Sequence, residues 1–199
     1  IDKEATAISL QRLMKNWPNK KCKVYLLHGA MTDAEMNSLY NNPNIKGYIS
    51  LTHGEGFGLP LFEAAYNGMP IIVPPWSGQM DFLMATPPNR SKKKNAKPKS
   101  PTPHCLQVEY TMQPIPDEVV WDGVLIKDSM WAVPNLDNAK RRMRDLKGSY
   151  RKHKTIANRL KKHIIENFTE EKVYGDFVNS VRTAIGGNIA VPEDVQVFG

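Results

Sequence analysis

Apolar residues at Ile8, Leu10, Leu13, Met14 and Trp17 recur at helical spacing, and Pro18 ends the run, so the chain is expected to open with a helix over about residues 1–17. Residues 23–28 (KVYLLH) form a continuous apolar stretch, the pattern of a short strand buried on both faces of a parallel sheet. Gly29 follows. Thr32 and Glu35 have capping-box spacing, which starts a helix running through Met36, Leu39 and Tyr40. Asn41, Asn42 and Pro43 stop it, and residues 46–52 (KGYISLT) read as the next strand.

A glycine-rich turn, a proline suited to a first helical turn and a short helix closed by Gly68 come next, in the stretch THGEGFGLPLFEAAYNGMP. Residues 71–74 form another buried strand, and Trp76-Ser77-Gly78 a second strand-to-helix turn, with Ser77 expected to cap the helix holding Met80, Phe82 and Leu83. Residues 104–110 read as a strand and 112–116 as an irregular return. From Asn138 to Asn167 the pattern is basic and helical, with Met143, Leu146, Tyr150, Ala157, Leu160 and Ile164 as its inner face. Thr169 caps a last helix with the stripe Val173, Tyr174, Phe177, Val178 and Val181. Strands alternating with helices over short links predict an α/β fold: a Rossmann-like parallel sheet flanked by helices, with ligands outside the carboxyl ends of the strands. One domain over 1–185 is expected, with a basic loop insertion at 88–103 and a tail at 186–199.

Composition narrows the classes. A chain of 199 residues with 41% hydrophobic residues can bury a core, and its mean hydropathy of −0.47 is that of a soluble protein. No apolar run reaches the roughly 18–20 residues of a membrane span. The opening residues lack a signal-peptide pattern and Cys22 and Cys105 lack metal-ligand spacing, so a cytoplasmic protein with structural cysteines is expected. The net charge of +7 is concentrated in residues 90–99, where Arg90, Lys92, Lys93, Lys94, Lys97 and Lys99 lie between prolines. Without interleaved aromatics for base stacking, nucleic acid is disfavoured as a partner; a peripheral contact of this loop with an anionic surface stays open.

The chemistry gathers in the glycine-rich turn. Backbone N–H groups at a helix N-terminus suit a phosphate, and glycines let a ligand approach the backbone closely. Glu55 on the turn and Glu63 on the helix can accept hydrogen bonds from hydroxyl groups. A nucleotide-diphosphate sugar offers both. Read from spacing alone, Glu63 can equally be a helix-end charge, the glycines plain turn residues and Phe57 plain core. The turn has neither GxGxxG spacing nor a P-loop ending, which disfavours NAD(P) binding and ATP hydrolysis.

EGFGLPLFEA, preceded by a strand and followed by NGMPIIVPPWSGQMDFL, resembles the E-x7-E signature of retaining glycosyltransferases of family 4, which have the GT-B fold. LLHGAMTDAEMNSLY is similar to that family's strand, glycine turn and helix ahead of the motif, and MWAVPNLDNAKRRMRDL to its later Trp-Ala-x-Pro segment and helix. The likeness runs from about residue 22 to 181, apart from the basic loop.

The resemblance implies a hexosyltransferase-type activity and identifies the chain with the C-terminal, nucleotide-sugar-binding half of such an enzyme. By it, Glu63 binds ribose hydroxyls, and Glu55, the catalytic residue, holds the transferred sugar. The amides of Gly56, Phe57, Gly58 and Leu59 meet sugar and diphosphate. Gly29 and His53 lie near the base, and Ser77 and Gly78 are further candidate contacts. No cofactor and no metal beyond the donor sugar are implied. The family's N-terminal acceptor domain, and the Arg and Lys that clamp the diphosphate, have no counterpart in the sequence. Lys3 is the nearest basic residue and sits inside a helix. Weak donor binding and poor transfer are therefore expected of these residues alone. The alternative is a non-catalytic Rossmann-like binding module whose basic loop recruits nucleic acid or another anionic partner. A nucleotide-sugar epimerase or dehydrogenase lacks its dinucleotide fingerprint here.

Overall fold

The computed structural model describes residues 2–86 and 100–186; the basic loop at 90–99 and nearly all of the expected tail lie outside the described residues. The chain divides into two compact units, Ile1–Asn41 and Asn42–Gly199.

The first unit carries α1 (Lys3–Lys15) and α2 (Asp33–Asn41). Asp2 caps α1 by accepting a 2.8 Å hydrogen bond from the Glu4 amide. The capping box of α2 forms as expected: the Thr32 amide donates to Glu35 Oε2 at 2.8 Å, and the Glu35 amide to Thr32 Oγ1 at 3.3 Å. The strand expected at 23–28 does not form. No strand among the described residues pairs with it, and Val24, Tyr25, Leu26 and Leu27 are exposed. An apolar run marks a strand only when a neighbour takes its backbone hydrogen bonds.

The second unit is mixed α/β around a small parallel sheet in the order β1 (Tyr48–Ile49), β2 (Ile71–Val73), β5 (Leu106–Gln107). Tyr48 pairs with Ile71, and Ile72 with Leu106. The central strand is buried throughout, as its unbroken Ile-Ile-Val run predicts. On one face Ile72, Leu106 and Val108 pack with Ala139 and Leu146 of α5 (Leu136–Gly148). The other layer is α3 (Leu59–Tyr66) against α6 (Tyr150–Asn167), whose buried stripe is Ala157, Leu160 and Ile164. Lys154 Nζ donates to the carbonyl of Gly68 at 2.6 Å, tying the end of α3 to α6.

Several details depart from the sequence reading. The single basic helix is two, broken at Ser149, and Met143 of its expected inner face is exposed. Gly148-Ser149 is the local signal for that break. The irregular return at 112–116 belongs largely to an ordered antiparallel ribbon of β6 (Tyr110–Pro114) and β7 (Met130–Pro134). A second ribbon joins β3 (Met84–Ala85), which follows the one-turn helix α4 (Met80–Leu83), to β4 (Thr102–Pro103). Thr169 does cap α7 (Glu170–Ala184), but the whole stripe of that helix is exposed. No helix among the described residues is long and apolar enough to cross a membrane.

Candidate functional site

The chain leaves β1 and β2 at the same edge of the sheet, and the two loops that follow are bonded together there. Ser77, after β2, clamps the main chain of Glu55, after β1: its Oγ donates to the Glu55 carbonyl at 2.7 Å and accepts from the Glu55 amide at 3.2 Å. The Gly78 amide adds a 3.1 Å bond to the same carbonyl. With its backbone groups engaged, Glu55 is fixed in place. Its carboxylate has no ion pair or hydrogen bond among the described residues.

The clamp depends on two unusual backbone positions. Ser77 has φ of 72°, the left-handed region. It therefore does not cap α4, whose N-cap is Gln79 without a side-chain bond; the hydroxyl expected on that helix is spent on Glu55. Gly78 lies so close to the Glu55 turn that a Cβ there would stand 1.8 Å from the Gly56 carbonyl oxygen. Only glycine fits.

Gly58, at φ 85°, then turns the chain into α3, and Pro60 occupies the first turn, where its missing N–H costs nothing. Among the described residues, no acceptor is paired with the amides of Gly56, Phe57, Gly58 or Leu59. The Phe57 ring is turned into a cluster with Phe62 and Phe82, at centroid distances of 5.3 and 5.1 Å. Phe57 thus serves as partial core through its side chain and leaves only its amide for a ligand. Glu63 is exposed on α3. Tyr48 of β1 links the two acids electrostatically: its phenol is pushed up first by burial, then by the negative charges of Glu55 and Glu63.

His53 is held by the β6–β7 ribbon. Its Nδ1 lies 3.0 Å from the Ala132 carbonyl, which only accepts, so Nδ1 carries a proton and donates it there. The ring stacks on Trp131 at 4.6 Å with 6° between planes. Trp76 packs at 6.0 Å from Tyr110 of the same ribbon. These aromatics were not legible as neighbours of the turn, since Trp131 is far away in sequence. Gln79, 1% exposed, donates to the Pro74 carbonyl at 3.2 Å beneath the turn and was likewise missed.

The structure thus brings Glu55, Gly56, Phe57, Gly58, Leu59, Ser77 and Gly78 together, with His53 and Glu63 on the flanking loop and helix. Gly29 belongs to the first unit. Among the described residues no cluster of His, Cys, Asp or Glu could hold a metal ion. Compared with known proteins, the chain finds no match in any family model, curated protein or solved structure.

Proposed function

We infer that the second unit binds a nucleotide-diphosphate sugar and serves as the Rossmann-like donor half of a retaining, GT-B-type glycosyltransferase. What carries the reading is the set of unpaired amides from Gly56 to Leu59 at the start of α3, flanked by Glu55 and Glu63. Amides at a helix N-terminus favour a diphosphate without the ordering cost of long cationic side chains. Two carboxylates beside them suit the hydroxyls of ribose and sugar. The residue types and spacing are those of the family that the motif resembles.

In this reading Glu63 takes the ribose hydroxyls, and Glu55, locked by Ser77, orients the transferred sugar. An acceptor oxygen attacks the anomeric carbon on the face from which the diphosphate leaves. The departing phosphate oxygen takes the acceptor proton, so configuration is retained and Glu55 forms no covalent bond. His53 and the aromatic ribbon stand near the base. An acceptor-binding domain is the expected partner. Titration of the chain with UDP-, GDP- and ADP-sugars by calorimetry tests the reading: saturable binding of one of them is expected, and binding of none would refute it.

A further inference from the structure

β1 is the outermost strand of the parallel sheet, and only β2 pairs with it among the described residues. The amides of Tyr48 and Ser50 donate to the carbonyls of Pro70 and Ile72 at 2.9 and 3.1 Å, so both residues turn their backbone groups toward β2. Successive residues of a strand direct these groups to opposite sides. The N–H and C=O of Ile49, between them, therefore point away from the sheet. Among the described residues nothing is bonded to either.

An apolar cavity of about 420 Å³ lies beside this edge, lined by Ile49, Ile72, Met143, Leu146 and Tyr150. Ile49 and Met143 are exposed there. Residues that face each other across paired strands share a face of the sheet. A strand added to β1 would thus set every second side chain on the face of Ile49 and into the cavity.

Natural sheets often guard an edge with a lysine standing across it. Lys46, just before β1, is drawn elsewhere: its Nζ donates to the Pro43 carbonyl at 2.5 Å and lies 5.3 Å from the centre of the Tyr150 ring. With Lys147 it makes the charged part of the cavity lining. Neither lysine has a carboxylate partner among the described residues.

These features together select one kind of ligand. An outward N–H and C=O on one strand residue match an extended main chain, the cavity matches alternate apolar side chains, and the two lysines match carboxylates. A fatty-acid anion would fill the cavity and leave Ile49 unpaired. A second copy is the poorer occupant, because the exposed apolar run at 24–27 follows Lys20, Lys21 and Lys23 and brings more positive charge. We propose that the free edge of β1 binds an extended acidic peptide by strand addition, with alternate apolar side chains in the cavity and carboxylates at Lys46 and Lys147.

The test uses the whole chain and the blocked peptide Glu-Val-Thr-Val-Thr-Glu, which puts both valines on one face and a carboxylate at each end. Saturable binding is expected by calorimetry. With peptide at about ten times its dissociation constant, hydrogen exchange at the Ile49 amide should slow by about tenfold. The amides of Tyr48 and Ser50, already bonded to β2, should change little. Lys147→Glu, a substitution at an exposed position, should shift the preference by about fivefold toward Lys-Val-Thr-Val-Thr-Lys, the size of an exposed ion pair. Misfolding would weaken both peptides and shift no preference. The proposal is overturned by a lack of saturation, by an unchanged preference in Lys147→Glu, or by an Ile49 amide that binding leaves unprotected. Self-association that protects Ile49 without peptide, or binding of laurate in place of the peptide, would overturn it too. None of these readouts depends on donor-sugar binding.

Discussion

Ser77 holds Glu55 by both of its backbone groups, with 2.7 and 3.2 Å hydrogen bonds made from a left-handed backbone position. A non-glycine residue is strained there by about 1–2 kcal/mol, and a hydroxyl that both donates and accepts is what offsets it. Ser77→Ala keeps the strain and loses the bonds; Ser77→Gly loses the bonds and the strain together. Chemical denaturation is therefore expected to find Ser77→Gly more stable than Ser77→Ala by about 1 kcal/mol. Equal stability would mean that the clamp carries no strain.

Gly78 sets the spacing of the same clamp. In Gly78→Ala the added methyl group must push the two loops apart, because its carbon would start 1.8 Å from the Gly56 oxygen. A loss of about 2 kcal/mol or more in unfolding free energy is expected, with donor binding falling further than stability alone explains. Gly56→Ala, where a Cβ meets nothing within 4 Å, is the control and should cost much less.

The two cysteines should react very differently. Cys22 is exposed, while burial pushes the Cys105 thiol up to about 12. At pH 8 the thiolate of Cys105 is then a fraction of roughly 10⁻⁴, so alkylation of the native chain should stop at one label per molecule, on Cys22. Rapid labelling of Cys105 would show that the β5 region opens readily.

Glu35 provides a pH signature in the first unit. Its hydrogen bonds with Thr32 lower its carboxyl from the ordinary glutamate value. The folded group binds its proton less readily than the unfolded one, so the stabilisation is present above the ordinary glutamate range and is lost as pH falls through the lowered value. Helix α2 should fray in that acid range, and Glu35→Gln should remove this part of the pH dependence. Circular dichroism of the two proteins across pH 2–6 checks it.

What the sequence made legible was local. The Thr32–Glu35 capping box, the Pro60 entry to α3, the buried run of β2 and the Thr169 cap all rest on residues within one turn of each other, and each formed as expected. The failures are non-local. Residues 23–28 carry the right composition for a strand, but pairing is a property of a neighbour. His53 meets Trp131 through a ribbon whose two strands are separated by residues 115–129, and Trp131 lies far from His53 along the chain. Ser77 has the residue type of a helix cap and a turn geometry that aims its hydroxyl elsewhere. The Glu55 turn was visible as a candidate, while the clamp that fixes it was not.

In the proposed function, Glu63 and Glu55 divide the donor between them, one on the nucleoside and one on the sugar. Calorimetric titration of the wild-type chain, Glu55→Ala and Glu63→Ala with a nucleoside diphosphate and with the matching diphospho-sugar tests it directly. Glu63→Ala should weaken both ligands by about tenfold or more, the loss expected of a charge-assisted hydrogen bond. Glu55→Ala should weaken only the sugar-bearing ligand. Binding that is unchanged in both variants, or weakened equally for both ligands by Glu55→Ala, would contradict the account.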